Sequence, residues 1–191
     1  MRWIHQFIVL VTVLMLPSIG TVTAADTDWS IAAKPGHIAL MRHAEAPGTG
    51  DPKGHRIGDC STQRNLDKGG RAQASAIGAK FASAGVKFTR VLTSQWCRCT
   101  ETATLVSGIE PTAFPALNSF IADFGRGPTQ AARVRQEMAA VEGFEPVLMV
   151  THQVMITELT GIVPASGEVV VVRARGGANG RLEVAARLIL N

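Results

Sequence analysis

Two short apolar runs each break off at a histidine. Ile38-Ala39-Leu40-Met41 passes into Arg42-His43, and Pro146-Val147-Leu148-Met149-Val150-Thr151 passes into His152. Apolar runs without polar alternation read as strands buried on both faces, and such strands belong to sheets covered by helices on either side. Between them the period changes. Asp67 is placed to cap a helix carrying Ala74, Ile77, Phe81 and Ala84 on one face, with Gly85 as its stop. Arg90-Val91-Leu92-Thr93 is a further strand, followed by a helix from near Cys97 past Val106 to Gly108. Another helix carries Ala131, Val134, Met138 and Val141 on one side, and a helix-like stretch from Val154 to Leu159 stops at Gly161. Glu168 to Arg173 and Leu182 to Leu190 flank a glycine-rich turn and read as a hairpin. Asp26 to Gly36 is a polar leader, Pro111 to Pro128 is irregular, and Ala44 to Asn65 is a long loop of the kind that is usually functional. Strands alternating with helices and closed by a hairpin predict a layered α/β sheet.

Of the 191 residues, 46% are hydrophobic and 18% charged, which suits one domain and excludes disorder. Part of the apolar excess lies outside any core. Arg2 precedes Trp3, Ile4 and an unbroken apolar stretch from Phe7 to Leu16, and Pro17, Gly20 and the small residues up to Ala24-Ala25 follow. This is the layout of a secretory signal, with cleavage expected after Ala24 or Ala25 and an uncleaved anchor as the alternative. Residues 1–25 are thus expected to be a signal peptide and residues 26–191 the single folded domain, periplasmic or secreted, with no stable membrane insertion. Removing the segment takes away one base and no acid, so the net charge falls from +4 to +3. With no Lys/Arg run and no Tyr, nucleic acid is not an expected partner.

Three cysteines remain, Cys60, Cys97 and Cys99. In an oxidising compartment a bridge from Cys60 to Cys97 or to Cys99 is permissible, and three buried free thiols are the alternative. Cys97-Arg98-Cys99 lacks the spacing of a redox motif or zinc ribbon, and no four-ligand metal set is present. No cofactor is expected.

Ligands of open α/β sheets bind beyond the carboxyl ends of the strands. Arg42-His43, Thr93-Ser94 to Arg98, and Thr151-His152 all emerge at such ends. Two guanidiniums and two imidazoles facing one small volume require a multivalent anion, and phosphate fits best. Arg holds its oxygens through paired hydrogen bonds, and a neutral imidazole nitrogen is a nucleophile toward phosphorus. Donors already in place would hold the charge of the transition state without a metal.

Four blocks carry a family resemblance. Leu40-Met41-Arg42-His43-Ala44-Glu45 resembles the L-x-R-H-G-E signature of the histidine phosphatase (phosphoglycerate mutase-like) superfamily, with Ala44 in place of the commonest glycine. Arg64 to Ala74 is similar to its R-x-L-T-x-x-G-x-x-Q-A segment, Thr93 to Ala103 to S-S-x-x-x-R-x-x-E-T-A, and Val150 to Ile156 to V-S-H-x-x-x-I. The blocks stand in the family's order.

The resemblance implies a three-layer α/β/α sandwich with a mixed, mostly parallel central sheet, and a phosphoryl group passing through a covalent phosphohistidine. Carried over by position, His43 is the nucleophile, and Arg42, Arg98 and His152 form the phosphate pocket. Arg64, Thr151 and Gln153 are candidate substrate contacts, with packing as the other role for Thr151 and Gln153. Arg98 sits at a helix start, where its charge opposes the helix dipole unless an anion compensates, which favours the phosphate contact; a helix-face salt bridge with Glu101 or Glu45 is the alternative role. The general acid is the departure from the pattern. Asn118 and Ser119 stand where the family's carboxylate falls, leaving Asp123, then Glu45, or none. The expected activity is a metal-independent phosphatase acting on a phosphomonoester or phosphoramidate, such as an envelope glycan or lipid phosphate. The alternative is a phosphate- or glycan-binding module of the same fold that lost catalysis. The Ala46 to Arg64 loop is expected to cover the pocket, pinned beside Arg98 if Cys60 is bridged.

Overall fold

The computed structural model describes residues 28–141, 145–177 and 180–190. The expected signal segment, residues 1–25, lies outside the described residues, as does the tip of the last hairpin. In chain order the elements are β1 (His37–Arg42), α1 (Lys68–Ser83), β2 (Arg90–Thr93), α2 (Cys97–Ser107), β3 (Thr112–Ala113), α3 (Gly127–Ala139), β4 (Val147–Thr151), α4 (Gln153–Thr160), β5 (Val169–Arg173) and β6 (Val184–Leu188). The strands form one six-stranded sheet in the order β3-β2-β4-β1-β5-β6. β1 and β2 each pair parallel with β4, and β3 runs parallel to β2, whereas β5 is antiparallel to both β1 and β6. The mixed, mostly parallel sheet follows from the connections. Parallel neighbours need long crossovers, here supplied by helices, while the short final link returns as a hairpin.

Alternate residues of the central strands feed two cores. Ala39, Met41, Leu148 and Val150 pack with Ala74, Ile77 and Phe81 of α1 and Cys99, Ala103 and Val106 of α2. Ile38, Leu40, Val147 and Met149 pack on the other face with Ala131, Val134 and Met138 of α3 and Met155, Ile156 and Leu159 of α4. This is the three-layer α/β/α sandwich. Asp67 caps α1 by accepting a hydrogen bond from Gly70 N, and Gly108 ends α2 in the left-handed conformation. Two helical glycines permit close approach: a Cβ at Gly78 would meet Val106 O at 2.7 Å, and one at Gly70 would strike the backbone of Glu45 at the end of β1.

Two sequence expectations change. The segment before β1 is not simply a polar leader. Trp29–Ala33 forms a 3-10 helix capped by Asp28, and buried Trp29 meets Phe81 edge to face at 4.8 Å between ring centres. One large apolar ring outweighs its polar neighbours. The irregular stretch before α3 contains β3 and two 3-10 turns, Pro115–Leu117 and Phe124–Arg126, held by buried Leu117 and Phe120.

Candidate active site

Because β2, β4 and β1 are adjacent and parallel, their carboxyl ends open on one edge of the sheet. That edge bears a cavity of about 210 Å³ lined by Arg42, His43, Arg64, Arg98, His152 and Gln153, with Gly48 to Asp51 of the long loop, Ser119, Ile121 and Val154. The expected histidines and arginines therefore converge. The buried rings of His43 and His152 lie 5.4 Å apart, edge to face.

The chemistry of His43 follows from its two ring nitrogens. Nδ1 is 2.8 Å from Ala44 O, and a carbonyl only accepts, so Nδ1 carries the hydrogen. Nε2 is thereby left with its lone pair and receives Arg98 Nε–H at 3.2 Å. Burial, followed by the nearby charges of Arg98, Arg42 and Arg64, pushes its pKa down from 6.5 to about 3, against the opposing hydrogen bond to Ala44 O. The imidazole is neutral and nucleophilic at any physiological pH. His152 is also held well below its ordinary value, first by burial and then by His43 and the three arginines. Its Nε2 lies 2.8 Å from Ser94 Oγ, which donates to Asn118 Oδ1 at 3.2 Å.

Arg98 is buried at the start of α2, and its compensating anion is Asp51 of the loop, not Glu101 or Glu45. Nη1 and Nη2 donate to Asp51 Oδ1 and Oδ2 at 2.7 and 3.1 Å. Glu101 pairs with Arg71 instead, and Glu45 is exposed. Asp51 also accepts from Arg64 N and from Trp96 Nε1, each at 3.1 Å. Burial raises its pKa, but the Arg98 hydrogen bonds, then those from Arg64 N and Trp96, outweigh it and hold the carboxyl below its usual range. Arg42 donates through Nη1 to Pro164 O at 2.9 Å, while its buried Nε has no partner among the described residues. Arg64 spends Nε on Gly50 O and Nη1 on Ala46 O, so it both lines the cavity and staples the loop.

Cys60 is bridged to Cys97, with their Cα atoms 5.7 Å apart, and Cys99 is a buried free thiol. Of the two possible partners, Cys97 faces the loop, whereas Cys99 turns into the core against β4. The loop is therefore fastened one residue before Arg98.

Two candidates fall elsewhere. Thr151 is fully buried and donates its hydroxyl to Leu117 O at 2.6 Å, a packing role outside the cavity lining. Asp123 caps the Phe124–Arg126 turn by accepting from Gly125 N, is exposed, and does not line the cavity. Sequence reasoning missed Asp51, Trp96, Ser94 and Asn118 as supports of the site. For Asp51 one signal was present, since a cation at a helix start requires an anion. Among the described residues, no group of three or more His, Cys, Asp or Glu side chains is arranged to hold a metal ion.

Residues 38–125 match the family model of the histidine phosphatase superfamily, branch 1. No curated protein sequence matches the chain. Among solved structures, the putative phosphohistidine phosphatase SixA of Agrobacterium tumefaciens is similar at 19% identity and a TM-score of 0.58, over 82% of this chain and 99% of its own. The protein histidine phosphatase SixA complexed with tungstate is similar at 18% identity and a TM-score of 0.55, over 80% and 96%. A mycobacterial glucosyl-3-phosphoglycerate phosphatase complexed with VO3 is similar at 15% identity and a TM-score of 0.52, over 78% and 97%. These likenesses carry the fold, and the matched segment carries β1 with Arg42-His43, the covering loop and Arg98. Over residues 38–125 the chain is similar to the histidine phosphatase superfamily, and its α/β fold is that of the solved phosphatases it resembles.

Proposed function

We propose that the protein is a metal-independent phosphatase that transfers the phosphoryl group of its substrate to His43. The observation that carries this reading is the neutral His43 ring, whose Nδ1–H is spent on Ala44 O and whose Nε2, accepting only from Arg98 Nε–H, borders a cavity walled by the guanidiniums of Arg42, Arg64 and Arg98. In the first step Nε2 attacks phosphorus, the N–P bond forms, and the bond to the leaving atom breaks with its electron pair. Water then attacks the phosphohistidine, releasing orthophosphate and restoring the neutral ring. Three arginines against ionised Asp51 leave two positive charges, which match a phosphomonoester or phosphoramidate dianion.

Among the described residues, the only carboxylate lining the cavity is Asp51, which is ionised and engaged by four donors. This favours substrates whose leaving groups depart without a proton from a protein acid, such as aryl phosphates or phosphoramidates. A neighbouring groove of about 690 Å³ shares Ile121, Gln153 and Val154 with the cavity and adds Phe120, Phe124, Arg135 and Arg181. It offers the leaving group an apolar wall with a charged rim of Arg135, Arg181 and Glu158, which suits a phosphorylated envelope component. Export, with removal of residues 1–25, is part of the same proposal. The amino-terminal pattern supports it, and the Cys60–Cys97 disulfide suits an oxidising compartment.

The test is turnover of a series of aryl phosphates in excess chelator. Expected are inhibition by vanadate, loss of turnover in His43→Ala, and rates that fall steeply as the leaving phenol becomes more basic. Phosphate binding without turnover would favour the binding-module reading. Rates indifferent to the leaving group would show that a proton donor acts after all.

A further inference from the structure

The long loop delivers a carboxylate to the most buried guanidinium of the site, and the pairing uses a particular edge of it. Arg has five N–H groups in one plane. Arg98 gives one Nη1 hydrogen to Asp51 Oδ1 at 2.7 Å, the other to Arg64 O at 3.1 Å, and one Nη2 hydrogen to Asp51 Oδ2 at 3.1 Å. Its Nε–H points to His43 Nε2. Among the described residues, the one N–H not engaged belongs to Nη2, on the edge it shares with Nε.

We infer that Asp51 is a positioning residue for the reaction: by holding the end-on edge of Arg98, it presents the side-on edge, Nε and Nη2, to a phosphoryl group seated against His43 Nε2. The inference rests on the phosphatase reading above. A side-on pair of parallel N–H donors next to the attacking nitrogen is the arrangement that grips two phosphoryl oxygens at once. Without Asp51, the long Arg98 side chain would regain rotamers, and its end-on edge would compete for the substrate in the wrong orientation. Trp96 Nε1 and Arg64 N complete the carboxylate's hydrogen bonds and fix its direction. The Cys60–Cys97 bridge fastens the same loop to the residue before Arg98.

The opposite role is a competitor that occupies Arg98 until substrate displaces it, and the two roles differ in sign. Asp51→Ala and Asp51→Asn are made alone and in an Arg98→Ala background. Aryl phosphate kcat/KM and calorimetric vanadate affinity are measured for each, with thermal melts to establish folding. If Asp51 positions Arg98, kcat/KM falls on the order of 100-fold in Asp51→Ala and tenfold in Asp51→Asn. Vanadate binding weakens in parallel, and neither change has a further effect once Arg98 is gone. Higher kcat/KM with tighter vanadate binding in Asp51→Ala, or no change, overturns the inference. So does an equal loss with and without Arg98, which would make Asp51 merely structural. Should Asp51→Ala not fold, the Asp51→Asn cycle decides alone. Absence of turnover in the unmodified protein would sink the phosphatase reading, while the vanadate cycle still decides the role of Asp51.

Discussion

Cys60 and Cys97 join the far end of the pocket's covering loop to the first residue of α2, so the backbone step after the bridge is Arg98 itself. The bridge spans 37 residues of sequence. Closing a loop of that length in the unfolded chain stabilises the fold by about 4 kcal/mol, a melting shift of roughly 10 °C for a domain of this size. Cys60→Ser should lower the melting temperature by about that much and reduce kcat/KM as the loop loosens from Arg98. Unchanged stability and kinetics would show that the bridge constrains nothing.

The buried histidines set the sign of the pH dependence of stability. The folded pKa of His43 is about 3, below its ordinary 6.5, so the stability it contributes is complete above pH 6.5 and is lost as pH falls toward 3. His152 shifts in the same direction. Denaturant midpoints should therefore decline steadily from pH 7 to pH 4. Over the same range His43 stays unprotonated, so an acid limb in kcat/KM near pH 6 should follow the second ionisation of the substrate phosphate, at about 6. Replacing the substrate by one with a lower second pKa should move that limb. A limb that stays fixed would instead report an enzyme group.

Cys99 offers a simple chemical check. Its thiol is fully buried, and burial pushes its pKa up to about 12. With Cys60 and Cys97 bridged, the native protein should show no thiol reactive toward an aromatic disulfide reagent, and the denatured, unreduced protein should show one. Three reactive thiols after denaturation would remove the bridge.

Asp123 and Arg98 should separate cleanly. Asp123 caps an exposed turn away from the cavity, so Asp123→Asn should leave kcat/KM within about twofold. Arg98→Ala removes the clamp beside His43 and should cost about 100-fold or more. A large loss in Asp123→Asn, with an altered basic limb of the pH profile, would restore it as the proton donor.

Gly78 tests the packing of the layers. A Cβ there would sit 2.7 Å from Val106 O, where α1 crosses α2. Gly78→Ala should destabilise the fold by about 1–3 kcal/mol despite the better helix propensity of alanine, because the clash is with backbone. Denaturant unfolding reads this directly.

The two buried runs ending in Arg42-His43 and Thr151-His152, the helical spacing from Ala74 to Phe81 and the terminal hairpin were legible from composition and period alone. Local patterning reports which faces are apolar, and parallel strands must release their carboxyl ends together. The family motifs likewise pointed to His43, Arg42, Arg98 and His152, all of which line one cavity. The anchoring of Trp29, the choice of Cys97 over Cys99, and the pairing of Asp51 with Arg98 were decided only by the tertiary structure. Each is a contact between segments far apart in sequence or within a loop that has no period. In such a loop Asp51 is chemically the same as Asp59, and only the place where the folded chain carries it makes one a partner of the buried arginine and the other a surface cap.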